Sequence, residues 1–274
     1  MTGQRNILVQ WMVPVLLAAF IVGTLGVTSL QWEQSLRDSS QLTGYSLLAI
    51  MLLLALFNVR KRLAASPLLS ARAWLRLHAA LGVSAILIYL FHAPAVWPHG
   101  LYEQVLAALF FTVSFTGLLG YVIQRQLPKR LAQIPDEFIF ERIPAELATM
   151  RENVEQQLLL ATRESGADTL GRHYLETLNW YFQRPRFGFG HLWGSRQGEA
   201  WLNSQIDGIA RYLDDAEREH LEAIRAIGLR KTNLDAHYAI QGTLKLWLFA
   251  HVPLVAGLLL LSFWHLFIVN IYIL

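Results

Sequence analysis

The chain contains no cysteine. That excludes disulfides, haem attached covalently through a CxxCH motif and cysteine-ligated iron–sulfur clusters, while leaving non-covalent haem open. Charge is scarce too: Asp, Glu, Lys and Arg make up 16% of the residues against 54% hydrophobic, and the charges are segregated rather than spread. Five windows hold few or none, at about 7–30, 42–59, 74–97, 101–123 and 244–274. Each is long enough to cross a bilayer, the second only just. The first follows a single positive charge, Arg5, exceeds a signal-peptide core and has no small-residue cleavage site after it, so it reads as a membrane helix.

Orientation follows from Lys and Arg, because short loops rich in them stay cytoplasmic. The connection after the second window carries Arg60, Lys61, Arg62, Arg72 and Arg76 without an acid, and the fourth window exits into Arg125, Lys129 and Arg130. The opposite loops, 31–41 and 93–100, carry only Arg37 between them. The expectation is an all-α membrane protein with a cytoplasmic N-terminus, five spans and an outside C-terminus. The four-helix membrane part is 1–124, a cytoplasmic helical insert is 125–242, and the fifth span is 243–274. Clustering of the basic residues at helix exits, without interleaved aromatics, argues against nucleic acid.

Ionisable groups inside the apolar windows stand out against this background. His78 and His92 lie in the third window, His251 and His265 in the fifth, each pair fourteen residues apart. Fourteen helical residues make nearly four full turns, so each pair shares a face, its members about 21 Å apart along the axis. The topology runs these two spans in the same direction, which matches His78 with His251 on the inner side and His92 with His265 on the outer. Arg72 and Arg76 enter the third span within about two turns of His78, where a cation can pair with a haem propionate or anchor the helix to headgroups. Gly82 is four residues after His78, on the same face; a helix wall lacking a side chain admits a flat macrocycle. Gly257, six after His251, falls under the same reading, and Pro94 and Pro253 are candidate bends that aim the ligands. The fourth span offers Thr112, Ser114, Thr116, Gly117 and Gly120, a small and polar stripe fit to pack against a neighbour or touch a cofactor edge.

Between 125 and 242 the pattern predicts helices over 145–164, behind Pro144, and over 169–182, 199–213 and 216–230, the last capped by Asp214 or Asp215. Residues 233–243 read as an amphipathic lead-in to the fifth span. The stretch 184–198, RPRFGFGHLWGSRQG, carries glycines at 188, 190 and 194, but their spacing and the absence of a βαβ unit exclude a dinucleotide fingerprint. It reads as a loop that docks on the membrane face or on a partner. His99, in an outer loop, and His173, His191, His220 and His237 read as exposed or structural, since no metal-ligand spacing joins them.

Three readings of the four intramembrane histidines compete: hydrogen bonding between helices, a proton or metal pathway, and ligation of two b-type haems. A pathway calls for acids or amides at depth, and the third and fifth spans hold none between their histidines. Neutral imidazoles ligate haem iron, and apolar neighbours suit the macrocycle. This pattern resembles the membrane domain of the ferric reductases and NADPH oxidases and, more loosely, cytochrome b561-like respiratory subunits. The resemblance implies bis-histidine haems at His78/His251 and His92/His265 and electron transfer across a membrane. It covers about half of the chain. A sixth span and the flavin and nicotinamide domains of that family are missing, and an insert separates the fourth and fifth spans. The implied role is the electron-transfer subunit of an oxidoreductase complex in a bacterial inner membrane. Its partners would be a cytoplasmic flavin or iron–sulfur protein, a quinol or a periplasmic redox protein. The alternative is a non-redox membrane anchor or assembly factor acting through its cytoplasmic helices.

Overall fold

The computed structural model describes residues 2–35, 39–56, 70–93 and 95–273. They form helices α1 (Thr2–Gln34), α2 (Ser40–Ala55), α3 (Ala71–His92), α4 (Leu101–Leu131), α5 (Ile143–Ser165) and α6 (Thr169–His173). A π turn, Tyr174–Leu178, joins α6 to α7 (Asn179–Phe182), and α8 (Gly188–Leu192), α9 (Gln197–Ala210) and α10 (Asp215–Ile273) follow. No strand occurs among the described residues. Four helices, α1, α3, α4 and α10, are long and apolar enough to cross a membrane. Helix α2 has 16 residues, about 24 Å. The rest of its expected span, the basic residues 60–62 and Pro94 lie outside the described residues.

The chain divides into two compact units, Met1–Val122 with Trp247–Leu274, and Ile123–Leu246. In the apolar unit, Leu47, Ile50 and Met51 of α2 and Leu81, Ala85, Ile88 and Tyr89 of α3 fall at helical spacing. They meet Ala107 and Phe110 of α4 and Leu258 of α10 in one core. Tyr89 stacks on Phe110 with ring centres 4.7 Å apart. The outward faces are as apolar as the core, with Leu16, Phe20, Phe115, Phe249 and Phe263 all exposed. So much exposed apolar surface suits lipid, not water.

The second unit follows the rules of a water-soluble domain. Pro144 sits in the first turn of α5, where its missing N–H costs nothing, and Gly166 ends the helix in the left-handed region at φ 70°. Val154 and Ala161 of α5 pack against Leu170, Tyr174, Leu178, Tyr181, Phe182, Leu202, Ile206, Leu221 and Ile224. Asp214 caps α10, its Oδ1 accepting from the Glu217 backbone N–H at 2.7 Å.

One expectation is corrected. The helix over 216–230, the lead-in and the last span are a single helix of 59 residues, about 88 Å long, which contributes to both units. Gly228 is no breaker: a Cβ there would lie 2.6 Å from Leu202 Cδ2, so the glycine admits α9 against α10. Lys231 and Asp235, one turn apart and 2.7 Å from each other, carry the helix through the polar stretch.

Candidate functional site

The outer pair is built from α2, α3, α4 and α10. His92, the last residue of α3, has its Nδ1 3.1 Å from the Ser40 carbonyl and 3.3 Å from Thr43 Oγ1. A carbonyl only accepts, so Nδ1 carries the proton and Nε2 holds the lone pair. The Thr43 hydroxyl donates back to the Ser39 and Ser40 carbonyls at 3.0 and 3.1 Å, which leaves its oxygen to accept from His92. Gly44 makes room: a Cβ there would sit 2.8 Å from His92 Cε1. His265 stands across from His92 with ring centres 6.4 Å apart and planes at 87°. The Tyr102 ring lies over His265 at 6.2 Å, held there by its hydroxyl donating to the Leu261 carbonyl at 2.7 Å.

The inner pair repeats the device with other parts. His251 Nδ1 is 2.9 Å from Thr116 Oγ1 on α4. The Thr116 hydroxyl proton is directed at the Thr112 and Val113 carbonyls, 2.9 and 3.0 Å away. With its proton so directed the oxygen can accept from His251 Nδ1, the tautomer that leaves the lone pair on Nε2. Trp247, one turn earlier on α10, stacks on the His251 ring at 5.2 Å and donates its indole N–H to the Thr116 carbonyl at 2.8 Å. Gly120 permits this, since a Cβ there would lie 2.0 Å from Trp247 Cζ2.

His78 and His251 lie within electrostatic range of each other. With His92 beside His265, this requires α3 and the end of α10 to run in the same direction. The structure brings His92 and His265 together, and the fourteen-residue spacing carries His78 and His251 to a second level about 21 Å away. Arg72 is exposed and Arg76 half-buried, on the first turns of α3. A Cβ at Gly82 would meet no atom within 4 Å, so the space beside it is open. Gly257 faces Leu109 at 3.6 Å, ordinary helix packing.

No group of three or more His, Asp or Glu among the described residues could hold a metal ion alone. Haem iron asks less of the protein, because the porphyrin supplies four bonds and two axial ligands complete the set. Two imidazoles bound through Nε2 on opposite sides of one iron place their ring centres about 6 Å apart, with metal–nitrogen bonds of about 2 Å. The 6.4 Å between His92 and His265 meets that requirement, and rotation about each bond leaves the angle between rings free. A ligating histidine normally donates its other N–H to a carbonyl or similar acceptor; His92 does so to the Ser40 carbonyl, and His251 has the Thr116 hydroxyl oxygen at hydrogen-bond distance from its Nδ1. The ring-centre distance of the His92/His265 pair is compatible with a shared iron.

No family model, curated protein or solved structure matches the chain. The geometry of the site is therefore the only guide to what it does. Sequence reasoning grouped Thr116 with a stripe fit to pack against a neighbour or touch a cofactor edge and assigned no role to Thr43, Tyr102 or Trp247. A threonine at a ligand's depth on the neighbouring span was the available signal.

The second unit holds a different polar centre. Lys231 and Asp235 are both fully buried. Lys231 Nζ also donates to the Arg184 carbonyl at 3.1 Å and lies 3.8 Å from the centre of the Tyr181 ring. Burial pushes the Lys231 ammonium down and the Asp235 carboxyl up, and their mutual attraction opposes both shifts. His191, also buried, is pushed below its ordinary value by desolvation and then by the Lys231 charge. Of the remaining histidines, His237 is buried beside Gln241, His220 bonds Gln157 and Glu164, and His99 is exposed.

Proposed function

We propose that the apolar unit is a di-haem cytochrome b, with His78/His251 and His92/His265 as axial pairs, that passes single electrons from one membrane face to the other. The observation that carries this reading is the pinning of Nδ1 on His92 and on His251. Two histidines on different helices, at different depths, each have a hydrogen-bond partner at Nδ1, the Ser40 carbonyl for His92 and the Thr116 hydroxyl for His251, an arrangement that suits ligation through Nε2.

Bound haem would supply the reversible one-electron couple. The chain's own share is to orient and insulate. The Ser40 carbonyl and Thr43 hold His92, Thr116 and Trp247 hold His251, and Tyr102 covers His265. Apolar side chains from α2, α3, α4 and α10 keep water from the interior, and Arg72 and Arg76 place positive charge on the first turns of α3, toward the inner level. In this reading all five apolar windows span. The N-terminus is cytoplasmic, the C-terminus faces outward and the membrane is a bacterial inner membrane. The protein exchanges electrons with a partner: a cytoplasmic flavin or iron–sulfur protein, a quinol or a periplasmic cytochrome.

The test is vectorial. Purified protein is reconstituted into vesicles enclosing ferricyanide, and dithionite is added outside. Bleaching of the enclosed oxidant that requires the protein supports the conduit. Bleaching no faster than in protein-free vesicles refutes it and leaves a non-redox anchor.

A further inference from the structure

The second unit displays two large aromatics to the outside from a loop that is otherwise tied down. Phe187 holds a left-handed backbone, φ 53°, and packs its ring against Trp180 and Trp201, with centres 6.1 and 6.2 Å away. Lys231 grips the loop at the Arg184 carbonyl, His191 is buried, and the Arg130 guanidinium of α4 donates to the Leu192 carbonyl. Between these anchors, Phe189 is 77% and Trp193 71% exposed, their rings 6.3 Å apart. A loop that buries Phe187 and His191 yet holds out Phe189 and Trp193 leaves a concentrated apolar patch in contact with water. Such a patch marks a surface that meets something else.

Its position and charge indicate what. The apolar run of α4 ends at Ile123, and Arg130, which holds the loop, is seven residues further along the same helix, about 10 Å. A phenyl or indole ring reaches several ångströms beyond its backbone, and interfacial aromatics seat at headgroup level. Residues 124–135 and 183–195 together carry five cations, Arg125, Lys129, Arg130, Arg184 and Arg186, and no acid, while Arg196 pairs with Glu199 at 3.3 Å. A protein partner of that complementarity would have to be acidic and apolar at once, whereas an anionic lipid surface offers both properties directly beside the end of α4.

We propose that the turn Gly188–Trp193 is a membrane-interface anchor, Phe189 and Trp193 inserting among the headgroups of the leaflet from which α4 emerges, with the surrounding arginines and lysine holding anionic lipid. The inference rests on the membrane-spanning reading of α4 and is independent of the haems.

The absence of native cysteine provides the test. Single cysteines at Phe189, at Phe115 on the exposed face of α4 and at Glu152 on α5 are labelled with an environment-sensitive fluorophore. The full-length protein is then reconstituted into vesicles of phosphatidylcholine with and without phosphatidylglycerol. The expected result is a blue-shifted F189C label, quenched by a shallow lipid spin label and more so in anionic vesicles. The E152C label stays water-like and F115C reports hydrocarbon. An F189C label as wet as E152C in both compositions, with F115C in hydrocarbon, overturns the anchor while the membrane reading stands. A wet F115C label overturns both.

Discussion

Thr116 is the point at which the account is most exposed. Its Oγ1 lies 2.9 Å from His251 Nδ1 and its proton is committed to helix carbonyls, so Thr116→Val keeps the shape and removes only the acceptor. Leaving a partly buried N–H without its partner costs about 1–3 kcal/mol. The His251 ring is only about half enclosed, which places the effect toward the lower end. At 1.4 kcal/mol per decade that is about tenfold weaker haem retention, inside the range of about 10- to 100-fold for groups that orient metal ligands. The assay is the rate at which purified protein gives up haem to an excess of apo-globin. Thr116→Val should lose one haem of the two about tenfold faster, the other at the wild-type rate. Thr24→Val is the control: its hydroxyl also bonds a helix carbonyl, 2.8 Å away at Phe20, yet contacts no histidine. Loss from Thr116→Val at the wild-type rate, or equal acceleration of both haems, refutes the reasoning.

Three further outcomes follow from the same contacts. In chemical unfolding, Lys231→Met leaves Asp235 buried without its counter-charge and should cost about 3–5 kcal/mol, while Lys231→Met with Asp235→Leu should be near neutral or stabilising; a double variant as damaged as the single one would contradict this. Gly120→Ala drives a Cβ into the Trp247 indole and should cost about 1–3 kcal/mol, a penalty that disappears in a Trp247→Leu background if the clash is its cause. For pH, burial holds His191 and His173 below their ordinary value of 6.5. Their unfolded forms therefore bind protons more readily, and the stability they contribute is complete above 6.5 and lost as pH falls through the depressed values. The melting temperature should drop on acidification below 6.5 and drop less in His191→Gln, and parallel curves would exclude His191 as a source.

Hydrophobic patterning made the helical fold legible, because long runs without charge leave the backbone no alternative to helix in lipid. Local chemistry was legible too: Pro144 in a first turn and Asp214 as a cap act through neighbouring residues alone. The continuity of α10 was not, since the helix over 216–230 and the lead-in from 233 read as separate elements where the structure has one helix, and only the close approach of Leu202 shows why Gly228 is there. At the site, the fourteen-residue spacing picked out the histidines, because a helix turns that period into one face. Their supports, Thr43 and the Ser40 carbonyl for His92 and Thr116 for His251, lie far away in sequence and meet them only through packing. No periodicity encodes that. The buried Lys231–Asp235 pair was hidden for a similar reason: on paper it is an ordinary surface pair one turn apart, and only the loop laid over it at Arg184 buries it.

The most direct measurement is the dithionite-reduced minus oxidised spectrum with pyridine haemochrome quantification, on the wild type and on His251→Ala and His265→Ala separately. The account predicts two non-covalent haems per chain, with one lost in each variant. Well-folded wild-type protein that carries no haem, or variants that retain both, would contradict it.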